Sequence, residues 1–200
     1  MKKIFFLALL FGGFIAPPAF AAPTVGQPAP VFTAVDSTGK TVKLSDYLGK
    51  TVVLEWTNHE CPFVRKFYDG GTMQALQQNA AKNGVVWLSV ISSAPGKQGH
   101  VTPAQANEIT ASRKAAPAAV LLDESGALGR LYDARTTPNM FIINKKGTLV
   151  YAGAIDSNPS SDPKDIPAAT NYVTQALGEM AEGKAISVAT TKPYGCSVKY

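Results

Sequence analysis

Cys61, in the stretch LEWTNHECPFVRKFY, has the clearest potential for chemistry in this chain. It follows an apolar run and precedes Pro62, which suits the first turn of a helix because the missing proline N–H has no partner there. A cysteine at that point faces free backbone N–H groups and the positive end of the helix dipole, which lower the thiol pKa. The sequence therefore predicts a nucleophilic thiolate, the alternative being an inert, buried cysteine.

A second cysteine, Cys196, lies close to the C-terminus. Two cysteines in one chain can form a structural disulfide, form a working redox pair or remain separate thiols. The segment between Gly183 and Cys196 could reach about 40 Å at roughly 3.3 Å per residue, which is enough to cross a domain. Pairing of the two cysteines is therefore a prediction, and a free or intermolecular thiol stays open.

Glu55 and Pro138 also have notable contexts. Glu55 interrupts the apolar run TVVLEW, where burial would raise the pKa of the carboxyl group and make it a proton acceptor near neutral pH. The alternative is a carboxylate at a strand end that faces solvent or pairs with a lysine. Pro138 follows Thr137 just before an apolar run, and by itself it is an ordinary loop proline, since only about 5–6% of X–Pro bonds are cis.

His59 lies two residues before Cys61, and such a pair could bind copper or zinc. No further donor follows at metal-ligand spacing, so we predict no metal site and interpret His59 as a loop residue or a modulator of the thiol. His100 lies in a glycine-rich loop and indicates no function. No flavin or nicotinamide motif is visible, and we expect no cofactor.

Residues 1–21 have the layout of a secretory signal peptide, in which two lysines precede an apolar run and a small-x-small site. The run is shorter than the roughly 20 residues that span a bilayer. We therefore expect cleavage after Ala21, a periplasmic or secreted protein, and no membrane attachment after cleavage. Removal of Lys2 and Lys3 lowers the formal charge from +5 to +3, and the remaining lysines and arginines are scattered, which predicts no nucleic-acid partner.

The hydrophobic pattern predicts the strands that would position these residues. The segments VFTAVD and KTVKLSD flank a Ser-Thr-Gly turn and indicate a hairpin. Three runs indicate strands buried on both faces of a sheet, namely TVVLEWT, VVWLSVI and AAVLLD. The segments NMFIIN and TLVYAGA indicate a second hairpin.

Helices are expected between these strands. One should begin at Cys61 or Pro62, break at Gly70–Gly71 and end at Gly84. Another should begin at Pro103 with Thr102 as its N-cap. A short helix is predicted for ALGRLYD, and a longer one for residues 163–182.

This order predicts an α/β sandwich of three layers with a mainly parallel sheet, to which the terminal hairpin adds antiparallel strands. We expect one domain over residues 22–183 and a C-terminal tail, residues 184–200, that carries Cys196.

The combined pattern resembles the thioredoxin-like superfamily, and more closely the exported redoxins of the AhpC/TSA and TlpA-like type. The resemblance rests on VGQPAPVFTAVDSTGKTVKLSDYLGKTVVLEW, TTPNMFIINKKGTLVYAGAID and TKPYGCSVKY, and covers residues 25–200. It implies a thioredoxin-like three-layer α/β/α sandwich with a central mixed sheet and an N-terminal β-hairpin extension.

The resemblance also implies roles for individual residues. Cys61 matches the attacking thiol that opens the C-x-x-C of thioredoxins, whereas Val64 stands where the second cysteine would be. Glu55 falls where thioredoxins carry a buried aspartate that handles protons. Pro138 matches the cis-proline that faces the thiol and, with Thr137, orients the bound peptide or disulfide.

We therefore expect a thiol–disulfide oxidoreductase in which Cys61 attacks a protein or small-molecule disulfide. Glu55 would assist proton transfer, and Cys196 or an external thiol would resolve the mixed disulfide. Another thiol protein would supply the electrons. Weaker candidates for a role beside the thiol are Thr57, Asn58 and Arg65, the last of which could steady the thiolate or point to solvent.

A thiol peroxidase with an antioxidant role is the alternative, in which peroxide oxidises Cys61 to a sulfenic acid. Peroxiredoxins resemble P-x-x-x-[TS]-x-x-C, where this chain has Leu54 and Asn58, and they tend to carry arginine where it has Pro138; Arg135 is displaced. The missing C-x-x-C is an equal departure from ordinary dithiol oxidoreductases. A third interpretation, a binding or copper-delivery module, needs a ligand set that the sequence does not contain.

Overall fold

A computed structural model describes residues 22–200, so the predicted signal peptide lies outside the described residues. The predicted N-terminal hairpin is confirmed: β1 (Thr33–Asp36) pairs antiparallel with β2 (Thr41–Lys43). The Asp36 carboxylate closes the turn by accepting hydrogen bonds from Thr38 and from the Lys40 backbone N–H. A short 3-10 turn, Leu44–Tyr47, follows the hairpin.

Three parallel strands form the centre of the sheet, as predicted. They are β3 (Val52–Trp56), β4 (Val86–Ile91) and β5 (Ala119–Leu122). Every residue of β3 is buried, because the strand is central and covered on both faces. The carboxyl ends of these strands lie at one edge of the sheet, where α/β folds place their functional sites.

The outer strands are antiparallel. β6 (Thr136–Thr137) leads into β7 (Asn139–Ile143), which pairs with β3 and with β8 (Leu149–Gly153). The sheet order is β2-β1-β5-β4-β3-β7-β8. The parallel centre and the antiparallel strands of the terminal hairpin are as predicted, and β1 also enters antiparallel, beside β5. The mixed sheet implied by the resemblance is confirmed.

The helices α1 (Pro62–Asp69) and α2 (Thr72–Lys82) are separated at Gly70 and Gly71, as predicted. Gly71 has φ 79°, a left-handed conformation that glycine adopts without strain. The next helix, α3 (Pro103–Ser112), begins with the predicted Thr102 cap, whose side chain accepts a hydrogen bond from the Gln105 backbone N–H.

The C-terminal helical region differs from the prediction. The short helix α4 (Ala127–Leu131) is present, but the helix predicted for residues 163–182 is wrong in its first part. Pro163–Ala168 forms a 3-10 turn, and α5 (Tyr172–Ala181) begins only afterwards. Pro167 has no N–H to donate, which disfavours a continuous α-helix there, and the Asn171 side chain caps α5 instead.

Two apolar layers cover the sheet and confirm the three-layer architecture. Val52, Leu54 and Trp56 of β3 belong to the layer that includes Leu128 of α4. Val53 faces the other layer, which α1, α2 and α5 cover. Within residues 22–200, no helix is long and apolar enough to cross a membrane.

The C-terminal tail returns across the domain and adds a strand that the sequence pattern did not predict. Its residues 189–191 run beside β8, where backbone hydrogen bonds join Ala152 to Ala189 and Thr191. Further on, β9 (Cys196–Ser197) pairs antiparallel with β6, and Cys196 lies directly opposite Thr137. This ladder brings the second cysteine to the edge of the sheet that carries Cys61.

Candidate active site

Cys61 is the N-cap residue of α1, directly after the loop that leaves β3, as the sequence predicted. Its backbone carbonyl accepts hydrogen bonds from Val64 and Arg65, which start the helix. The side chain is fully buried, and its thiol donates to the Thr137 carbonyl oxygen at 3.1 Å. A groove of about 1060 Å³ lies between α2 and α5, and Cys61 is not among the residues that line it.

Thr137 and Pro138 lie against the thiol. The peptide bond between them is cis, as the resemblance implied. The Thr137 hydroxyl is buried without a partner of its own, yet it is placed to donate to the sulfur once Cys61 has lost its proton. The Thr137 residue thus offers a carbonyl acceptor to the thiol and a hydroxyl donor to the thiolate.

Cys196 completes the surroundings of the sulfur. Both cysteines are free thiols. Cys196 lies beside Cys61, since hydrogen bonding by its side chain and its backbone N–H is among the effects that lower the pKa of Cys61. The β6–β9 ladder holds this arrangement, because Cys196 is paired with Thr137 in register. The structure therefore brings together the two cysteines and the Thr137–Pro138 turn.

The surroundings make the two thiols unequal. Burial raises the pKa of Cys61, but hydrogen bonds from Cys196, from the Thr137 hydroxyl and from the Val64 N–H outweigh it, so the pKa lies below its ordinary value. For Cys196, burial, the hydrogen bond to Cys61 and the charge on Cys61 raise the pKa to about 12, against a small opposing effect of Lys199. Of the two thiols, Cys61 therefore loses its proton more readily than Cys196.

Glu55 is completely buried on β3, so the alternative of a solvent-facing carboxylate is wrong. Its oxygens accept hydrogen bonds at 2.8 to 3.3 Å from four side chains, those of Tyr68, Gln77, Trp87 and Ser89. Burial, the charge of Glu55 and its hydrogen bond raise the pKa of Tyr68 well above the ordinary value, which keeps that phenol a donor. None of the hydrogen bonds of Glu55 goes to Cys61.

The weaker candidates have structural contacts. The buried Asn58 shapes the loop before Cys61, since its side chain accepts from the Glu60 N–H and its carbonyl accepts from the Cys61 N–H. Thr57 is buried and continues the sheet through a backbone hydrogen bond to Val90. Arg65 pairs with Asp69 at 3.4 Å on the exposed side of α1, so the interpretation that it steadies the thiolate is wrong.

The sequence pattern missed a buried charge network next to the cysteines. Lys66 of α1 is 2% exposed, and its ammonium lies 3.1 Å from Asp156 and 3.0 Å from the Asn158 carbonyl oxygen. The other oxygen of Asp156 accepts a hydrogen bond from the hydroxyl of Tyr194 in the tail. A carboxylate directly after the apolar run TLVYAGAI was the signal that could have indicated this site.

His59 takes no part in the contacts of the sulfur. Its Nδ1 atom is buried without a partner, and its carbonyl accepts from Arg113 at 2.9 Å. Burial lowers the pKa of His59, which Glu60 opposes and Arg113 reinforces. Within residues 22–200, no group of three or more His, Cys, Asp or Glu side chains could hold a metal ion.

Residues 25–152 match the model of the AhpC/TSA family. Cys196 and the tail lie beyond this match. Among curated proteins, none matches the sequence of this chain significantly.

Solved structures share the fold. The hypothetical protein SMc02350 from Sinorhizobium meliloti 1021 superposes with a TM-score of 0.78 over 90% of this chain and 96% of that chain, at 20% identity. A candidate thiol:disulfide interchange protein DsbE from Chlorobium tepidum is 26% identical over 66% of this chain and 85% of its own, with a TM-score of 0.53. The exposed lipoprotein thioredoxin Etrx1 from Streptococcus pneumoniae strain TIGR4 is also 26% identical, over 69% of this chain and 97% of its own, with a TM-score of 0.50.

Proposed function

The chain belongs to the AhpC/TSA family, and on this premise we propose that it is a thiol–disulfide oxidoreductase with Cys61 and Cys196 as its working pair. The observation that carries the proposal is the position of Cys196, which the β6–β9 ladder places opposite Thr137, the residue whose carbonyl oxygen contacts the buried Cys61 sulfur. The similarity to a candidate thiol:disulfide interchange protein supports the same reaction class.

The reaction begins when the Cys61 thiolate attacks one sulfur of a substrate disulfide, RS–SR′. A bond forms between Cys61 and RS, and R′S⁻ leaves. The Cys196 thiol then loses its proton and attacks the Cys61 sulfur, which expels RS⁻ and leaves a disulfide between the two cysteines. The substrate gains two electrons and the protein loses two, and an external thiol protein would reduce the pair again.

The pKa values of the two thiols support this order of events. Before the first attack, burial raises the pKa of Cys196, and the hydrogen bond to Cys61 and the charge on Cys61 raise it further, which favours the protonated thiol. In the mixed disulfide Cys61 carries no charge, so these two effects are removed and Cys196 loses its proton more readily. Cys196 thus becomes a nucleophile only after Cys61 has reacted.

Three further residues are assigned supporting roles. Glu55 is proposed to accept the proton released during resolution, since it is a buried carboxylate on the strand that leads to Cys61. Thr137 and Pro138 are proposed to position the substrate, because the turn lies against the reacting sulfur. The hydroxyl of Thr137 would stabilise the thiolate before it attacks.

We also propose that the protein is exported and works in the periplasm or outside the cell. The signal-like residues 1–21 support this location, as does the similarity to an exposed lipoprotein thioredoxin. An oxidising compartment would permit a disulfide between Cys61 and Cys196.

A thiol peroxidase is the second candidate, and the complete burial of the Cys61 sulfur favours it because a peroxide is smaller than any disulfide. The thiolate would attack one peroxide oxygen to give a sulfenic acid, and Cys196 would then displace that oxygen as water. Asn58 and Pro138 remain departures from the peroxiredoxin pattern.

A trapping experiment distinguishes the two reactions. The reduced Cys196→Ser variant is mixed with a protein disulfide or with hydrogen peroxide, and Cys61 is followed by mass spectrometry. Rapid accumulation of a mixed disulfide supports exchange, whereas faster formation of a sulfenic acid supports the peroxidase. The Cys61→Ala variant is the control, in which the rate of consumption of the disulfide or the peroxide is measured. If this variant consumes either substrate as fast as the wild type, both functions are contradicted.

A further inference from the structure

The buried network of Lys66, Asp156 and Tyr194 connects the two segments that carry the cysteines. Lys66 lies on α1, whose N-cap is Cys61. Tyr194 lies in the tail two residues before Cys196. Asp156 accepts from both side chains, one through each carboxylate oxygen. A single chain of charged and polar contacts therefore connects the helix of Cys61 to the tail of Cys196.

Burial and charge restrict the side chains of Lys66, Asp156 and Tyr194 to one arrangement. The Lys66 ammonium is surrounded by Asp156, by the Asn158 carbonyl and by the rings of Phe67 and Tyr194, at 4.9 and 5.7 Å from its nitrogen. Removing one partner from a buried ion pair is strongly destabilising, because the other charge stays buried without compensation. Hydrogen bonds to a carboxylate are also stronger than neutral ones. Alternative positions for the Tyr194 hydroxyl are therefore unfavourable.

The backbone between Tyr194 and Cys196 transmits this restraint. The Tyr194 ring packs edge-on against Phe63 of α1, with the ring centres 5.9 Å apart. Gly195 has φ 129°, and a Cβ atom there would clash with the Thr137 carbonyl oxygen. The backbone of the tail therefore packs closely against β6 at Gly195, and a restraint on the position of Tyr194 also restrains the position of Cys196 relative to the Cys61 sulfur.

We infer that Lys66, Asp156 and Tyr194 are positioning residues that hold Cys196 at the distance and angle needed to resolve a mixed disulfide on Cys61. They contact none of the reacting sulfurs and act by raising the effective concentration of the Cys196 thiol. The inference rests on the proposed function. It predicts that loosening the network slows the attack by Cys196 while leaving the earlier attack by Cys61 largely unchanged.

The test uses the reduced mature protein and dithiobis(nitrobenzoate), a small aromatic disulfide whose coloured thiol is released twice. The first release reports the attack by Cys61, and the second reports resolution by Cys196. In the Tyr194→Phe variant we expect the second release to slow by about tenfold, since the lost hydrogen bond goes to a charged group and such bonds are stronger than neutral ones. The first release should change by less than about twofold, because the ring and its packing remain.

Tyr132→Phe is the matched control. It removes one buried tyrosine hydroxyl, whose hydrogen bond of 2.7 Å goes to the Pro30 carbonyl and not to the tail. Both releases should match those of the wild type. A second measurement is the equilibrium of each protein with glutathione, in which Tyr194→Phe should lower the ratio of disulfide to dithiol by a factor similar to the kinetic one.

The outcomes separate this inference from the proposed function. If Tyr194→Phe resolves as fast as the wild type, or if both releases slow equally, the positioning role is refuted while the redox pair stands. If the wild type releases the coloured thiol only once and mass spectrometry finds no disulfide between Cys61 and Cys196, the proposed function fails first. Selective slowing of the second release supports both.

Discussion

Replacing Thr137 with valine exchanges its hydroxyl group for a methyl group, with little change in the shape of the side chain. The Thr137 hydroxyl is buried and has no partner while Cys61 is protonated. When Cys61 is a thiolate, the hydroxyl is one of the donors that lower its pKa. The Thr137→Val variant should therefore raise the pKa of Cys61 without harming the protonated state, in which an unpaired hydroxyl contributes nothing favourable.

The expected size of the effect follows from the burial of the sulfur. Cys61 is 0% exposed, so water cannot replace the lost donor. Hydrogen bonds to charged groups contribute about 1.5–3 kcal/mol, and about 1.4 kcal/mol corresponds to a tenfold change in an equilibrium constant. We therefore expect the thiolate fraction at a pH below the pKa to fall by about tenfold or more.

The measurement is the rate of alkylation of Cys61 by iodoacetamide as a function of pH, since only the thiolate reacts. Thr136→Val is the matched control. Its hydroxyl donates to the Pro138 carbonyl oxygen at 3.2 Å and has no contact with the sulfur, so the pH profile of this variant should follow that of the wild type.

Two results would refute the reasoning. If Thr137→Val leaves the pH profile unchanged, the hydroxyl does not stabilise the thiolate. If Thr136→Val shifts the profile equally, the effect comes from the turn as a whole and not from the donor at position 137. In either case the lowered pKa of Cys61 would have to come from Cys196 and the helix backbone.

Three further predictions concern buried charges. Lys66→Met should lower the free energy of unfolding by about 3–5 kcal/mol, because it leaves Asp156 buried without its cation. The control, Arg65→Met on the exposed side of α1, should change the free energy of unfolding by less than about 0.5 kcal/mol. Urea unfolding measures both variants, and equal effects would contradict a stabilising role of the buried pair. Asp36→Ala should cost about 1–2 kcal/mol at neutral pH. Despite burial, hydrogen bonds from Thr38 and Lys40 lower the pKa of Asp36, so its contribution is present above the unfolded pKa and is lost as the pH falls through the folded one. The gap between variant and wild type should therefore close in acid, and a gap independent of pH would be inconsistent with this cause. Glu55→Gln should lower the pKa of Tyr68 toward its ordinary value, because the charge that raises it is removed; an ultraviolet titration measures this, and the exposed Glu108→Gln should leave it unchanged.

Local patterns were sufficient to predict the elements next to Cys61. The run TVVLEW is apolar on both sides of the strand and indicates a central position, and Cys61-Pro62 marks the helix start, since both signals depend on neighbouring residues alone. The cap at Thr102 is confirmed for the same reason. A local signal also explains why the helix predicted for residues 163–182 is wrong in its first part, because Pro167 disfavours a continuous helix there.

The contacts that complete the site are long-range and leave no local pattern. The β6–β9 ladder pairs two residues of each strand, and although the end of the tail, CSVKY, alternates apolar and polar residues, this local pattern does not indicate which strand it pairs with. The residues around Lys66 do not distinguish it from an exposed helical lysine, because its partner, Asp156, lies far away in the chain. The resemblance identified Cys61, Glu55 and Pro138, but it did not indicate how Cys196 reaches the sulfur.

With the proposed disulfide between Cys61 and Cys196, the conformational stability of the molecule would depend on its oxidation state, because the β6–β9 ladder that brings Cys196 to the site is part of the fold. If folding promotes the bond between Cys61 and Cys196 by some factor, a thermodynamic cycle requires that the bond promote folding by the same factor. A cross-link that closes a loop of this length removes chain entropy worth about 4–5 kcal/mol from the unfolded state. The redox poise of the compartment would then act on this protein as a bound ligand does, favouring the folded chain as the surroundings become more oxidising.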